Sequence, residues 1–479
     1  MFDLKKVKNL IFNALYYLLN MLFPLITFPY ISRILGVEGV GAASLALTTA
    51  TYFTTIASLG IPIYGIREVA RCLGKPERLN YVVSELMFIN AISAFISLLL
   101  YFIVINSINI MSDNITLYYI AAINIVLSFF QIDWLFQGLE KFKILAIRSF
   151  ITKLLSITLV FTLVLDSDDV EIYVLISVIA LSIANIINIF SAKKIINFKY
   201  KNLKFKKHLK PIVYFLSTRL MSTVYTLLDS VILGIMTSNY FVGLYTTAIR
   251  LVRVITTLIS SATTVFFAEA SRLAEDKSIK YQALLLDLFI FLLMLSLPIA
   301  IFTSILSDEL IYMFAGKDFM SASLALKITS GLIVISTITN FTGVQILYSN
   351  KLEKKVAESL GVGAFVCIVM NLSLIPIYQH NGAAIAALSA EFSIMLYQFY
   401  VIYKAGISFS FIINLRFLKL SSACAIYCIL VLVCYELTEP LTLIVRFVIL
   451  TLFSLIIYPI ILFVFKDKLL VDIFSKIKL

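Results

Sequence analysis

Fourteen stretches of about 20 or more mostly apolar residues run through this 479-residue chain. That recurring length constrains the fold more than any other feature, because a helix needs about 20 apolar residues to cross the hydrocarbon core of a bilayer. The stretches fall roughly at 10–32, 40–63, 82–106, 115–137, 145–165, 170–192, 212–236, 241–267, 283–306, 322–348, 357–377, 382–404, 418–437 and 441–465. None alternates apolar and polar residues in pieces of about ten, as the strands of a membrane barrel do. Lipid offers no partners for backbone N–H and C=O groups, so helices remain as the way across. The expected fold is an all-α integral membrane protein with fourteen transmembrane helices. A chain that is 61% hydrophobic and 14% charged, with a mean hydropathy of +1.01, excludes the soluble classes.

Basic residues orient the spans, since Lys and Arg accumulate in cytoplasmic connections. With the N-terminus inside, every inner connection is basic, from Lys5, Lys6 and Lys8 to Lys466, Lys468, Lys476 and Lys478, and "KKIINFKYKNLKFKKHLKP" (193–211) holds eight lysines. The outer connections hold only Arg33 and Lys317. Both termini are therefore expected in the cytoplasm, the net charge of +12 is met by anionic membrane lipids, and no nucleic-acid partner is implied. The basic start runs into an apolar stretch too long for a signal peptide, so a retained first helix is expected. The five cysteines form no CxxC pair, no metal site is indicated, and no phosphate-binding GxxxxGKS/T motif occurs. No cofactor is expected.

An internal repeat organises the spans. "VGAASLAL" (40–47) returns as "VGLYTTAI" (242–249), an offset of 202 residues. Ser44, Thr48, Thr51, Thr55 and Ser58 lie on one face of the second span, and the same offset leads to Thr246, Arg250, Arg253, Thr257 and Ser260 in the eighth. The seventh span carries Arg219, Ser222, Thr223, Thr226, Asp229 and Ser230 where the first offers Tyr17, Asn20, Pro24 and Thr27. The expected organisation is a six-helix lobe over 1–192, a basic cytoplasmic linker over 193–211, a second six-helix lobe over 212–404, and helices 13 and 14 with a cytoplasmic tail over 405–479. Parallel repeats of this kind build transporters whose substrate site lies between the halves.

A charge near the bilayer centre costs about 2.5–3.5 kcal/mol even on the mild insertion scale. Arg250, Arg253, Arg219 and Lys153 nevertheless fall near mid-depth. Together with Thr48, Thr51 and Thr257 they are the candidate substrate-binding residues, and paired guanidinium groups suit phosphate oxygens. The acids Asp229, Asp287 and Glu391 are the candidates for coupling or gating. The competing explanation is packing, through small polar residues between helices and ion pairs such as Arg219 with Asp287 or Lys153 with Glu391. Lys327 and Arg446 lie near enough to the outer interface to snorkel.

Several motifs carry a family resemblance. "FPYISRILGVEGVG" (28–41), "SLGIPIYGIREVAR" (58–71), "IYMFAGKDFMSASLALKI" (311–328) and "IPIYQHNGAAIAALSAE" (375–391) follow one another as in bacterial polysaccharide flippases. The chain resembles the Wzx type of these proteins, in the multidrug/oligosaccharidyl-lipid/polysaccharide (MOP) exporter superfamily, over essentially its whole length. The resemblance implies a MOP/MATE-like fold of two six-helix lobes plus two helices. It also implies a non-enzymatic flippase of the bacterial inner membrane, which moves undecaprenyl-diphosphate-linked oligosaccharide repeat units for O-antigen or capsule through a central cationic cavity open alternately to each side. Coupling to a proton or sodium gradient and contact with other polysaccharide assembly proteins come with that resemblance. One departure is "FFAEASR" (266–272), where Ala268 stands in place of the family's proline before the Ser-Arg pair, with Glu269 beside it. Two alternatives stay open: a multidrug or cation antiporter of the same superfamily, and a membrane glycan polymerase or ligase, although the longest outer connection, roughly 307–321, is short for catalysis.

Overall fold

A computed structural model describes residues 4–275, 279–407 and 415–465, without the side chains of 4–24 and of Asn109, Thr218, Ala262, Thr264, Val265, Ala268, Glu275 and Ile279. Among the described residues there is no strand, and the chain divides into two compact units, Met1–Gly243 and Leu244–Leu479. The first contains α1 (Leu4–Ser58), α2 (Ile61–Ala70), α3 (Pro76–Ser107), α4 (Asn109–Ser112), α5 (Ile115–Leu127), α6 (Asp133–Gly138), α7 (Phe142–Leu163), α8 (Val170–Lys193) and α9 (Lys206–Met236). The division falls near the start of α10 (Asn239–Glu275), and the second unit continues with α11 (Ile279–Ile305), α12 (Ser307–Ala315), α13 (Ser323–Thr329), α14 (Gly331–Asn340), α15 (Glu353–Lys404), α16 (Leu415–Leu437) and α17 (Leu443–Val464).

Among the described residues, twelve helical runs are long and apolar enough to cross a membrane, against the fourteen spans expected. The difference lies in α1 and α15, helices that each extend across two expected spans. In α1 the helix breaks at Gly36 (φ 66°, ψ −177°), between the stretches at 10–32 and 40–63. Gly36 adopts this left-handed φ without the steric penalty of a Cβ. In α15 the break comes at Gln379 (φ 52°, ψ −128°), three residues after Pro376 and between the stretches at 357–377 and 382–404. Two other expected spans are less regular than their hydropathy implies. The stretch at 115–137 is interrupted between α5 and α6 by a 3-10 turn over Ser128–Phe130, and the one at 322–348 ends in a π-helical turn over Phe341–Tyr348.

In the first unit, the core centres on Trp134 of α6, 3% exposed and packed among Ile61, Tyr64, Val69, Leu86 and Phe136. A methyl group on Gly65 would come within 2.6 Å of the Trp134 ring, so α2 and α6 meet through that glycine. The lysine-rich segment is a built strap on α3. Backbone N–H groups of Asn197, Lys199 and Lys204 donate to Asn80 Oδ1 (3.0 Å), Ser84 Oγ (2.8 Å) and Glu85 Oε1 (2.7 Å). Glu85, 1% exposed, also meets His208 at 2.8 Å and Lys207 at 2.7 Å, and His208 meets the Tyr64 hydroxyl at 2.7 Å. The repeat offset of 202 reappears in packing. A methyl group on Gly41 would lie 1.7 Å from the Asn239 carbonyl oxygen, and one on Gly243 would lie 2.1 Å from that of Val37. The two contacts are reciprocal, because 37 and 239, like 41 and 243, differ by the repeat.

In the second unit, α16 packs on α11 and α17, and α13, α14 and the π-helical turn pack on α15. Arg446 does not snorkel as its sequence position suggests. It pairs with the fully buried Glu309 of α12 at 3.0 Å and stacks over the Tyr435 ring at 4.7 Å. Glu309 lies outside the spans, and burial pushes its carboxyl above the usual range, with Arg446 acting against that rise.

Candidate functional site

The first unit encloses a polar cavity of about 260 Å³. Five helices supply its wall. Thr51, Thr54 and Thr55 come from the second half of α1, Asn124 from α5, and Arg148, Ser149, Thr152 and Lys153 from α7; Ala180, Leu181, Ala184 and Asn185 come from α8, and Arg219 from α9. Gln131 and Asp133 join them from the break between α5 and α6. Because the helix stops after Phe130 and restarts at Asp133, that carboxylate begins a new helix beside the cavity instead of continuing the old one.

Asp133 is held from two sides. Arg148 Nη1 and Nη2 donate to Oδ1 and Oδ2 at 2.7 and 3.0 Å, and Asn188 Nδ2 donates to Oδ1. Arg148 is 6% exposed, and Nη1 also reaches the Ala184 carbonyl at 3.4 Å. A two-pronged guanidinium–carboxylate contact is the geometry that best supports a pair removed from water. With Asp133 matched to Arg148, the lining carries two further bases, Lys153 and Arg219, and no further acid. The hydroxyls of Thr51, Thr54, Thr55 and Thr152 donate to carbonyls of their own helices, at Leu47 (2.7 Å), Ala50 (2.8 Å), Thr51 (2.9 Å) and Arg148 (3.1 Å). Their oxygens remain able to accept, and the amides of Asn124, Gln131 and Asn185 add donors and acceptors. Such a wall suits a hydroxyl-rich ligand bearing negative charge.

Of the sequence candidates, Thr51, Lys153 and Arg219 line this cavity, and Thr48 lies one turn before Thr51, half-buried and off the lining. Asp229 is in the first unit on α9, 2% exposed and also off the lining. Arg250, Arg253 and Thr257 stand on α10 in the second unit; the two arginines are half-buried, and the exposed Thr257 hydroxyl donates to the Arg253 carbonyl at 2.7 Å. Asp287 of α11 is about half exposed and accepts from Arg416 at 2.6 Å. Glu391 of α15 is 4% exposed. Asp133 and Arg148 were missed by the sequence reading; the signal available was an acid and a base 15 residues apart, each within an apolar stretch.

The helices and the cavity define a multi-pass helical membrane protein with a polar, base-rich chamber in one unit. The chain belongs to the polysaccharide biosynthesis protein family, whose family model matches residues 6–273. It is 26% identical over 396 residues to a Shigella dysenteriae protein named "Putative O-antigen transporter", covering 81% of this chain and 98% of that one. A protein of the same name from Escherichia coli K12 is 22% identical over 391 residues, covering 80% and 93%. Among solved structures, the fold matches the lipid II flippase MurJ in its inward closed conformation, with a TM-score of 0.72, 17% identity, and coverage of 95% of this chain and 100% of that one. It also matches an inward-facing MATE family multidrug resistance transporter of the MOP superfamily, with a TM-score of 0.61, 13% identity and coverage of 83% and 96%. The kinship expected from the motifs is borne out at the level of family and fold.

Proposed function

We propose that this chain is a flippase of the bacterial inner membrane that carries undecaprenyl-diphosphate-linked oligosaccharide repeat units of O-antigen or capsule from the inner to the outer leaflet, by alternating access and without chemical conversion of the substrate. The observation that carries this reading is the chamber of the first unit, where Lys153 and Arg219 stand among hydroxyls and amides. The bases suit a diphosphate and the neutral polar groups suit sugar hydroxyls. Support comes from the family and from relatives named as O-antigen transporters that align along nearly their whole length. Arg250 and Arg253, three residues apart on α10, carry the same expectation of phosphate contact in the second unit. The excess of inner lysines favours both termini in the cytoplasm.

A cation antiporter is the competing reading, and the base-rich lining disfavours it because a cationic substrate would be repelled. The test is surface glycan display in a host lacking its own copy of the protein. Lys153→Ala with Arg219→Ala abolishes display at unchanged protein level, as does Arg250→Ala with Arg253→Ala. Normal display in the first double variant overturns the assignment of the chamber, and transport of a cationic dye but not of lipid-linked sugar by the purified protein overturns the flippase reading.

A further inference from the structure

Glu391 sits in the second half of α15 and is 4% exposed. The Thr339 hydroxyl of α14 bonds its Oε1, and its Oε2 has no hydrogen-bond partner. Every other strongly buried glutamate among the described residues is matched by base: Glu309 by Arg446, Glu85 by His208 and Lys207, and Glu68 by Arg71. Glu391 is in no ion pair among the described residues. Of the elements packed on α15, α14 contains no titratable residue, α13 contributes only the exposed Lys327, and the π-helical turn only Tyr348. Along α15 itself, His380 lies three turns away with its Nε2 on the Ser321 carbonyl at 3.0 Å, and Glu358 is engaged by Lys355 and Tyr397.

A carboxylate this deeply buried, with no ion-pair partner among the described residues, strongly favours the neutral acid. The hydroxyl of Thr339 points to the same state. Its oxygen lies within bonding distance of both Glu391 Oε1 and the Ser336 carbonyl, the latter at 3.1 Å, yet it has a single hydrogen to donate. With Glu391 protonated, the carboxyl donates to Thr339, Thr339 donates to Ser336, and each hydrogen has an acceptor. A metal ion is poorly served here, because hard cations such as calcium or magnesium take about six or more oxygens and Glu391 and Thr339 together offer three.

We propose that Glu391 is a proton-binding site, loaded when α14 and α15 are in contact and emptied when they separate. One further rung of the α15 contact is also polar. Gln398, two turns beyond Glu391, accepts from Thr342 at the start of the π-helical turn and donates to Ser359 at 3.2 Å. Parting α14 from α15 would let water reach this polar row, and only hydration makes the carboxylate stable enough to release its proton. π-helical turns recur at sites that change during function. Proton binding stands on this geometry alone; its link to translocation rests on the flippase reading.

Infrared spectroscopy of the protein reconstituted in lipid tests binding directly. The carbonyl-stretch band of a protonated carboxylic acid is expected at neutral pH in the wild type and is expected to be lost in Glu391→Gln. Its absence from the wild type, or its persistence in Glu391→Gln, overturns the site, as does loss of the band on replacing potassium with sodium, which would mark a cation site. Flipping of lipid-linked sugar by Glu391→Gln is then expected to lose its response to an imposed proton gradient. A full response overturns the coupling while leaving the flippase reading intact; absence of flipping by the wild type counts against that reading while leaving proton binding intact.

Discussion

Asp133 accepts from both terminal nitrogens of Arg148 and takes a third bond from Asn188, whereas Glu391 has one hydrogen-bond partner, the hydroxyl of Thr339. Both carboxylates lie within membrane-spanning helical runs, in separate units, and the difference between them is the partner. A fixed guanidinium matches the Asp133 carboxylate at both oxygens and makes it a strut for the chamber wall, tying α6 to α7. Without such a partner, Glu391 is stable in the neutral form and its charge becomes conditional on hydration. Burial alone does not mark a functional acid, and the absence of a matched base is what separates a structural carboxylate from one that exchanges protons.

The same isosteric change at the two sites should give very different results. Asp133→Asn leaves Arg148 largely buried and without its countercharge, and breaking a buried pair in this way costs about 3–5 kcal/mol. Glu391→Gln keeps the shape and the neutrality of the acid, so its expected effect on stability is about 1 kcal/mol or less. Thermal unfolding of both variants in the same detergent measures the contrast, and equal destabilisation would break it. Replacing the pair together, Asp133→Leu with Arg148→Leu, should recover most of the lost stability, since apolar substitutes for a buried pair are often neutral or better. Arg148→Leu alone should not.

Glu309 falls between the two. It has a partner in Arg446, but burial already raises its carboxyl above the ordinary range. Arg446→Leu is therefore expected to cost less than Asp133→Asn, about 1–3 kcal/mol, because Glu309 can take up a proton once its base is gone. The sign follows from linkage. In the variant, a carboxyl raised further above its unfolded value retains its stability below that unfolded value and loses it as pH rises toward the folded one. Unfolding midpoints of Arg446→Leu should consequently fall from mildly acidic to neutral pH more steeply than those of the wild type. Parallel pH profiles would show that Arg446 does not compensate the Glu309 charge.

How much of this was legible in the sequence follows from the range of each interaction. Span positions depend on local apolar length, so they were readable, including the places where α1 and α15 break. Lys153 and Arg219 were readable as charges near mid-depth, because the cost of placing them there is independent of the fold around them, and Thr51 was readable from the polar stripe on its helix face. Asp133 was not, since in an uninterrupted helix over 115–137 it would lie near the interface and need no explanation. The helix instead breaks at the 3-10 turn over Ser128–Phe130 and restarts at Asp133, whose carboxylate meets Arg148. The lysine-rich segment read as a basic cytoplasmic linker by charge, yet its backbone amides, which carry no sequence signature, bind it to Asn80, Ser84 and Glu85. The partner of Asp287, Arg416, is 129 residues away and was not legible from the sequence.

Asp169 gives the smallest effect and isolates what backbone partners do for an exposed acid. Its Oδ2 accepts the N–H groups of Leu165 and Asp166 at 2.8 and 2.9 Å, closing the connection between α7 and α8, and those two bonds hold its carboxyl below the usual range. A depressed folded-state value means that the stabilisation is present above the unfolded value of about 3.9 and is lost as pH falls through the folded one. Exchange of the Leu165 and Asp166 amides, corrected for intrinsic rates, should therefore be slow at neutral pH and lose protection only as pH falls below the usual carboxylate range. In Asp169→Asn a neutral side-chain oxygen still accepts, so protection should be weaker and independent of pH over the same range. If both proteins give the same acid profile, the backbone bonds to Asp169 do not discriminate its charge, and the contrast between matched and solitary carboxylates would have to rest on ion pairs alone.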